Sequence, residues 1–298
     1  MKEINCIYCN STRKEIILRG EDCLGREKVF QIVRCKECGL SFVNPQPSSE
    51  ELREFYQTDY ESYNEPELIK YGFITRKISS FIHNFFHRQV KRQIIDIDGR
   101  INYLDFGCGG GFNLERVQKK HPSWKFYGYD NNQIACQKTK ERGFPVYCGE
   151  LEEISWPNDF FDIINMNHVV EHLSNPSAGI KKIRTLIKKG GILRLTTPNF
   201  DSLSSKLFKG SWQALELPRH LFFFNLTTLK NLLEQNRFKV TSVKFGKSPR
   251  IEILSFFNLF KCQDRRINPF VWRLFIPIAW FLSRLGKSSI ISVEAVAE

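Results

Sequence analysis

The chain of 298 residues is long enough for one large domain with a small additional module, and its 42% apolar and 26% charged residues are ordinary for a globular protein. These values exclude an intrinsically disordered chain and a chain made of membrane spans. The formal net charge is +12, and residues 201–298 carry fifteen Lys and Arg against seven Asp and Glu. This basic, aromatic-rich region suits nucleic acid, anionic lipid headgroups or phosphorylated small molecules; an ordinary solvated basic face remains an equal alternative.

Four of the nine cysteines lie near the N-terminus in two C-x-x-C pairs. Cys6 and Cys9 form the first pair and Cys35 and Cys38 the second, with 25 residues between the pairs. This spacing allows two hairpin tips to bring four thiolates to one tetrahedral zinc ion. Because four cysteine ligands leave no coordination position open, we predict structural Zn²⁺. Two prolines close to residue 47 end this module, so its predicted range is 1–47.

The other five cysteines are interpreted as isolated small residues. They are Cys23, Cys108, Cys136, Cys148 and Cys262. An odd number of cysteines, in a sequence that begins without an apolar secretory segment, predicts a reducing, cytoplasmic location.

Residues 48–100 are predicted to form a helical lid or linker, because residues 68–95 place apolar side chains at spacings of three and four with basic residues between them. From residue 101 short apolar strands alternate with helices. The predicted strands are 101–106, 125–129, 146–148, 161–166, 192–196, 238–245 and 289–297, and the predicted helices are 112–120, 132–142, 176–188 and 227–236. This alternation predicts an α/β fold with a doubly wound, mostly parallel sheet of seven strands in residues 101–298.

A glycine-rich loop follows the first of these strands and precedes a helix. It reads Asp105-x-Gly107-x-Gly109-x-Gly111. Glycine is needed where the backbone turns sharply and lies against a ligand. A dinucleotide loop would place its third glycine three residues after Gly109, where this sequence has Phe112, so a pyrophosphate site fits poorly.

Polar residues at the ends of the next strands complete the predicted cofactor site. Asp130 follows the glycines by about twenty residues, where a carboxylate can accept hydrogen bonds from both ribose hydroxyls. Glu150 follows the third strand and suits the adenine edge, although an ordinary loop acid is nearly as well supported, and Asn167 ends the fourth strand. Loops at the carboxyl ends of the strands of a doubly wound sheet converge on one crevice.

These segments, with residues 161–173 and 189–195, resemble the successive motifs of class I S-adenosylmethionine-dependent methyltransferases over roughly residues 70–245. The resemblance implies S-adenosyl-L-methionine as cofactor and a Rossmann-like sheet whose last strand is antiparallel. The segment Val169-Val-Glu-His-Leu173 is similar to small-molecule O-methyltransferases of the ubiquinone-biosynthesis type. The N-terminal module is similar to the zinc-ribbon head of bacterial and archaeal methyltransferases that often serve surface-polysaccharide or glycolipid pathways. Together they imply a small-molecule, saccharide or glycolipid hydroxyl as the acceptor.

A hydroxyl acceptor is a poor nucleophile until its proton has a base to go to, and histidine titrates in the useful range. We predict His172 or His220 as this base, with His168 as a third candidate. Two alternatives stay open: each histidine is bonded to backbone in the core, or the group holds a divalent ion as in some ubiquinone-type relatives. The segment also spells H-x-x-E-H, but the zinc peptidases with this signature carry it on a long helix.

Residues 251–285 are rich in aromatic side chains, and their longest uncharged run of ten residues is too short to span a bilayer. We predict a cap over the acceptor pocket; the alternative is a peripheral contact with the inner face of a membrane, with arginines facing lipid phosphates.

Two further functions remain as alternatives. The basic surplus and the zinc module favour an RNA methyltransferase, but the segment after the fourth strand lacks the N/D-P-P-Y/F loop of enzymes that methylate base amino groups. The third alternative is a non-catalytic protein that binds the cofactor and recruits a partner through the zinc module.

Overall fold

The computed structural model describes residues 1–25, 28–56, 101–260 and 269–298, with the side chains of 269 and 270 left undescribed. The predicted amphipathic helix at 68–95 and Cys262 lie outside these ranges.

The N-terminal module consists of three antiparallel strands and a short helix. The strands are β1 (Lys14–Glu21), β2 (Val29–Cys35) and β3 (Ser41–Val43), and they pair in that order. The helix α1 (Ser49–Arg53) begins after Ser48, whose hydroxyl accepts the Glu51 N–H while the Glu51 carboxylate accepts the Ser48 N–H. This reciprocal capping box fixes where the helix starts.

The remaining elements alternate between strands and helices as the sequence predicts. In chain order they are β4 (Asn102–Phe106), α2 (Phe112–Gln118), β5 (Lys125–Asp130), α3 (Gln133–Glu141), β6 (Val146–Cys148), β7 (Phe161–Asn167), α4 (Pro176–Leu186), β8 (Ile187–Pro198), α5 (Leu203–Phe208), β9 (Phe222–Phe223), α6 (Leu226–Gln235), β10 (Phe238–Gly246), α7 (Pro249–Leu259), α8 (Pro269–Arg284) and β11 (Ile290–Ala297). The fifth predicted strand starts at Ile187 rather than at residue 192, because Ile187 already pairs with Phe161 of β7.

The main sheet has seven strands in the order β10-β11-β8-β7-β4-β5-β6. β4 is an inner strand that pairs in parallel with β5 on one side and with β7, the central strand, on the other, while β11 is antiparallel to both β8 and β10. This confirms the predicted doubly wound α/β sheet and its antiparallel last strand. The order reverses at β4, so the carboxyl ends of β4, β5 and β7 surround the topological switch point where such sheets bind ligands.

The N-terminal module shares its sheet and core with the rest of the chain. The two residues of β9 pair with β3, which makes a four-stranded sheet β1-β2-β3-β9. Phe42 and Phe222 pack with ring centroids 6.2 Å apart, and one hydrophobic core contains Phe42 together with Leu104 of the main sheet. Residues on both sides of the predicted boundary at 47 therefore contribute to one folded body.

Two packed helices, α7 and α8, precede the last strand in the region where the sequence predicts a cap. Within the described part of the chain, no helix is long and apolar enough to cross a membrane.

Candidate cofactor and acceptor site

A cavity of about 1480 Å³ lies at the carboxyl ends of the central strands. One part of its wall is formed by the loops that follow β4, β5, β6 and β7. The opposite part is formed by residues of the N-terminal module, by the segment before β9 and by α7. Of the predicted cap, Ile251 and Leu254 lie in this wall.

The glycine loop after β4 has the backbone geometry that its sequence predicts. Gly107 has φ +77°, and a Cβ added there would lie 2.3 Å from a methyl carbon of Val169. Gly111 has φ +80° and lies against Thr139 of α3, with 3.3 Å from an added Cβ to the Thr139 Cα. A larger residue at Gly107 would combine strain in the left-handed region with a steric clash, and one at Gly111 would combine the same strain with a tight contact, so both positions favour glycine.

The two aspartates of the site are buried and hold neighbouring groups. Asp130 accepts the Gly109 N–H on Oδ2 at 2.9 Å and the Asn132 N–H on Oδ1 at 3.0 Å, so it ties the glycine loop to the end of β5. Asp105 accepts a hydrogen bond from the Asn165 side chain at 2.8 Å, and burial raises the pKa of Asp105 to about 6. Burial also raises the pKa of Asp130.

Six of the seven predicted cofactor residues line the cavity. They are Asp105, Gly107, Gly109, Asp130, Glu150 and Asn167. Gly111 lies behind the loop as the N-cap residue of α2 and supports it. Asn131 and Asn132 also line the cavity, and the sequence analysis missed both. Asn132 is the N-cap residue of α3, and an Asn directly before a predicted helix could have indicated this role.

The three predicted histidines also line the cavity, and the buried carboxylate of Glu171 lies among them. Glu171 Oε1 lies 3.1 Å from His168 Nδ1, and Glu171 Oε2 accepts the Thr197 hydroxyl at 3.0 Å. The rings of His172 and His220 pack edge to face, with centroids 4.6 Å apart. The backbone N–H of residue 221 donates to the Glu171 carbonyl, which joins the two histidine-bearing segments.

The pKa values of the three histidines are shifted in different directions by burial and by the ionised carboxylate of Glu171. Burial disfavours the charged form of Glu171, but the hydrogen bond with His168 and the nearby imidazoles outweigh burial and lower its pKa to about 2. Burial likewise disfavours charged His168, but Glu171 outweighs this effect and raises the pKa of His168. Burial, followed by the charge of His220, lowers the pKa of His172 to about 4, and burial lowers the pKa of His220. At neutral pH His172 and His220 are therefore neutral.

Each of the two neutral histidines has one ring nitrogen engaged by backbone. Nδ1 of His172 lies 3.1 Å from the Arg219 carbonyl, and Nδ1 of His220 lies 2.9 Å from the Ala214 carbonyl. A carbonyl oxygen can only accept, so the proton of His220 is on Nδ1 and its Nε2 is left as an acceptor. The contact of His172 with the Arg219 carbonyl likewise requires a proton on Nδ1, whereas the Tyr56 hydroxyl, 2.9 Å from the same nitrogen, can donate or accept. The predicted backbone contact is present for both rings.

Two side chains near the histidines were not predicted as part of the site. Tyr56 places its hydroxyl 2.9 Å from His172 Nδ1, and Arg219 donates from Nε to the carbonyl of Phe55 at 2.7 Å. Both belong to contacts between segments more than a hundred residues apart, so no local sequence signal marks them.

One ligand atom each from Glu171, His172 and His220 lies within 4.8 Å of the others, so the open alternative of a divalent ion is geometrically allowed. The segment 169–172 forms a single turn, closed by the His172 N–H and the Val169 carbonyl, and not the long helix of an H-x-x-E-H peptidase.

The four predicted zinc ligands form one cluster in the N-terminal module. Cys6 Sγ lies 3.3 Å from Cys38 Sγ, Cys9 Sγ lies 3.5 Å from Cys35 Sγ, and all four sulfurs lie within 4.8 Å of one another. Four sulfurs around one zinc ion at Zn–S of about 2.3 Å would be about 3.8 Å apart. Backbone N–H groups of residues 37 and 38 also point at Cys35 Sγ, which favours its thiolate. The cluster fits a Cys₄ zinc site.

Comparisons with known proteins agree with this geometry. Residues 72–243, more than half of the chain, match the family described as methyltransferase domain. The chain belongs to this methyltransferase domain family.

The relatives of this methyltransferase domain include enzymes named for ubiquinone biosynthesis. The ubiquinone biosynthesis O-methyltransferase of Coxiella burnetii is 30% identical over 111 residues, covering 36% of this chain and 47% of that protein. The corresponding protein of Parvibaculum lavamentivorans is 26% identical over 103 residues, covering 33% and 41%. An uncharacterised 37.1 kDa protein in transposon TN4556 of Streptomyces fradiae is 24% identical over 124 residues, covering 40% and 36%. The alignments thus span less than half the length of these relatives.

Solved structures similar to the chain include a SAM-dependent methyltransferase from Archaeoglobus fulgidus, 20% identical with a TM-score of 0.46, covering 75% of this chain and 92% of that one. The [4+2]-cyclase SpnF is 22% identical with a TM-score of 0.48, covering 67% and 76%.

The interpretation of the remaining cysteines of the methyltransferase chain needs one correction. Cys136 and Cys148 are joined in a disulfide, so their interpretation as isolated residues was wrong. The parallel pairing of β5 with β6 places Cys148 beside Asp130, and the Cys136 Sγ lies 3.4 Å from the Asp130 carbonyl oxygen. The disulfide therefore fixes the first turn of α3 to the strand end that leads to Glu150. Cys23 and Cys108 are unpaired thiols, as predicted.

Proposed function

We propose that the protein transfers a methyl group from S-adenosyl-L-methionine to a hydroxyl oxygen of a small-molecule, saccharide or glycolipid acceptor. The observation that carries this proposal is the cavity at the switch point of a methyltransferase domain, which is lined by the glycine loop, by Asp130 and by the neutral histidines His172 and His220. The cofactor supplies an electrophilic methyl group on a sulfonium. Aligning acceptor, methyl and sulfur is worth roughly 7–11 kcal/mol of barrier, so the protein mainly has to position the reactants.

The donor side of the cavity would be formed by residues at the ends of β4, β5 and β6. Asp130 would accept the ribose hydroxyls with the lone pairs that Gly109 and Asn132 leave unused. Glu150 is exposed at the far side of the loop after β6, where it suits the adenine edge. Gly107 lets the backbone approach the cofactor.

His172 is our proposed general base. Its ring lines the cavity and its lowered pKa keeps it neutral, and in the tautomer that donates from Nδ1 to the Arg219 carbonyl its Nε2 is unprotonated. The bound cofactor would supply the methyl group to the acceptor oxygen, and Nε2 of His172 would take the proton that this hydroxyl loses. His220 is the alternative base with the same protonation state. Glu171 raises the pKa of His168 and contacts its Nδ1, so we propose that His168 positions the cluster rather than acts as base.

The lining of the cavity includes three arginines. They are Arg53, Arg219 and Arg250, and Arg219 pairs with Glu216 at 3.8 Å. Guanidinium groups recognise carboxylates, phosphates and oxygen-rich sugars. This lining, with the relatives named for ubiquinone O-methylation, supports an acceptor with acidic or polar oxygen groups.

The test measures binding and transfer separately. Isothermal titration with S-adenosylmethionine reports the donor site, and transfer of a tritiated methyl group is assayed on a panel of phenols, sugars, nucleotide sugars, a glycolipid extract and bulk RNA. We expect donor binding and O-methylated product from one of the non-RNA classes. Absence of donor binding would refute the cofactor assignment, and labelled RNA alone would assign the alternative function.

The base is tested with His172→Ala and His220→Ala, with His121→Ala as the matched control because His121 is exposed and outside the cavity. We expect His172→Ala to lose about 10²–10⁴-fold in kcat with donor binding unchanged. Full activity of both cavity variants would exclude histidine as the base.

We also propose one structural Zn²⁺ in the module of residues 1–47, held by the four clustered cysteines, with residues 48–100 as a lid or linker and 101–298 as the methyltransferase domain. Elemental analysis should find one zinc per chain, and Cys38→Ser should lose it together with thermal stability, because metal binding and folding are coupled in small modules. A metal-free preparation with unchanged melting temperature would contradict the zinc site.

A cytoplasmic location belongs to the same proposal. In that reducing compartment the Cys136–Cys148 pair would be present as two thiols unless an oxidant forms the disulfide.

A further inference from the structure

Exposed apolar side chains are concentrated on one pair of helices. Among the described residues, fifteen large apolar side chains are exposed, and eight of them belong to α7 and α8 or to the residue after each helix. They are Phe256, Leu259, Phe260, Leu274, Ile276, Ile278, Phe281 and Leu285, which we call the outer apolar patch. Scattered apolar residues need no explanation, but a cluster on two packed helices indicates an interaction surface.

The helix α8 is apolar on two different sides. Ala279 and Leu282 are buried against the protein, 2% and 6% exposed. Leu274, Ile278, Phe281 and Leu285 follow one another at spacings of four, three and four and are 48–57% exposed, so they form a stripe along the other side. Packing of α8 onto the domain explains the inner side only. The outer stripe is available to a partner.

The charges around this stripe are positive. Residues 269–285 contain Arg273 and Arg284, both exposed, and no acidic residue. The neighbouring α5 is joined to the end of α8 by the hydrogen bond from the Leu203 N–H to the Lys287 carbonyl. Three lysines are exposed in that region: Lys206, Lys209 and Lys287. Lys206 and Lys287 both pair with Asp201. Cations beside exposed aromatic and aliphatic side chains complement a surface whose outer layer is anionic and whose inner layer is apolar.

We propose that α7 and α8 dock on the surface of an anionic phospholipid membrane through the outer apolar patch, with Arg273 and Arg284 at the phosphates. The patch lies in the plane of the interface, as in amphipathic helices that bind membranes without crossing them. The inner side of α7 contributes Ile251 and Leu254 to the cavity wall, so the same helix separates the acceptor site from the membrane. Docking would bring the cavity close to an acceptor carried by a lipid. The membrane contact itself does not require methyl transfer.

The experiment is sedimentation of the full chain with vesicles of phosphatidylcholine alone and with about 30% phosphatidylglycerol added, at low and high salt. We expect binding to the anionic vesicles that weakens with salt. The variant Leu274→Ser/Ile278→Ser/Phe281→Ser should reduce the partition coefficient at least about tenfold, because apolar burial supplies the insertion. Arg273→Gln/Arg284→Gln should reduce it about fivefold for each arginine removed.

Matched controls separate the patch from general effects. Ile16→Ser/Val29→Ser removes two equally exposed apolar side chains from the N-terminal module, and it should leave binding unchanged. All variants should retain S-adenosylmethionine binding, since the substituted positions lie outside the cavity wall. No sedimentation of the wild-type chain with anionic vesicles, or equal sedimentation of the triple serine variant, would overturn the proposal. The proposal would also be overturned if light scattering shows that the wild type is a dimer and the triple serine variant a monomer, because the patch would then bind a second copy of the chain. Methyl transfer to a water-soluble acceptor is expected to be the same in all variants, so this outcome is independent of the catalytic proposal.

Discussion

Replacement of Glu171 by glutamine would remove the one ionised acid of the histidine cluster and keep its shape. The carboxylate is 1% exposed and is held between His168 Nδ1 at 3.1 Å and the Thr197 hydroxyl at 3.0 Å. Glutamine can still accept the threonine hydroxyl, but it offers His168 no negative charge. The substitution therefore isolates the electrostatic part of the contact.

The size of the effect follows from the shift in pKa. The pKa of Glu171 is lowered from 4.5 to about 2, which corresponds to about 3 kcal/mol of folding free energy. A lowered carboxyl pKa contributes stability above pH 4.5, and this contribution is lost as the pH falls from 4.5 towards 2. The raised pKa of His168 describes the same pair from the other side: its contribution is present below pH 6.5 and is lost as the pH rises through the raised value. Because both shifts describe one interaction, their free energies are not added.

Chemical denaturation of the wild type and Glu171→Gln between pH 3 and pH 9 measures this difference. We expect the wild type to be about 3 kcal/mol more stable between pH 5 and pH 6.5, with the gap closing on acidification and narrowing at alkaline pH. Glu115→Gln on α2 is the control, because its exposed ion pairs with Lys119 and Arg142 should matter little. A gap that is absent, or constant across this range, would refute the ionised buried pair.

Three further predictions concern the donor side of the cavity. Gly107→Ala should abolish donor binding and lower the free energy of unfolding by about 1–3 kcal/mol more than Gly143→Ala does. Both glycines have positive φ, but only at Gly107 would an added Cβ lie 2.3 Å from a side chain. Equal losses of stability on chemical denaturation would count against the clash. Asp130→Asn should raise the Kd for S-adenosylmethionine at least about tenfold in isothermal titration, whereas Glu150→Gln should change it less, and the reverse order would disprove the ribose assignment. Reducing the disulfide should lower the free energy of unfolding by about 3 kcal/mol, because the bond closes a loop between cysteines that are 12 residues apart in the sequence. Thiol titration would show that reduction is complete. An unchanged melting temperature with and without a dithiol would then argue against the bond.

The features that the sequence predicts correctly depend on short stretches of chain. The strand, the glycines and the following helix at 102–118 are contiguous, and Asp130 ends a strand whose apolar pattern is visible by itself. The cluster of four cysteines follows from two C-x-x-C pairs. In each case local residue types and spacing carry the physical requirement, so no tertiary contact has to be known in advance.

The features that were missed depend on contacts between distant segments. Tyr56 contacts His172 across 116 residues, and neither residue has a local pattern that points to the other. The Cys136–Cys148 disulfide depends on the parallel register of β5 and β6, which fixes where Cys148 lies relative to α3. The two-residue strand β9 is too short to show any periodicity.

The pairing of β3 with β9 also has a consequence for how the protein is made. Phe42 pairs with Phe222, about 180 residues later in the chain. During synthesis the strands β1, β2 and β3 leave the ribosome long before their fourth strand exists, so the edge of β3 is open while most of the methyltransferase domain is translated. Contacts between such distant residues close late because the intervening loop must be ordered first. The four cysteines, the last of which is Cys38, can therefore come together before the cavity is assembled, and with the proposed zinc site metal binding would hold this module until β9 arrives.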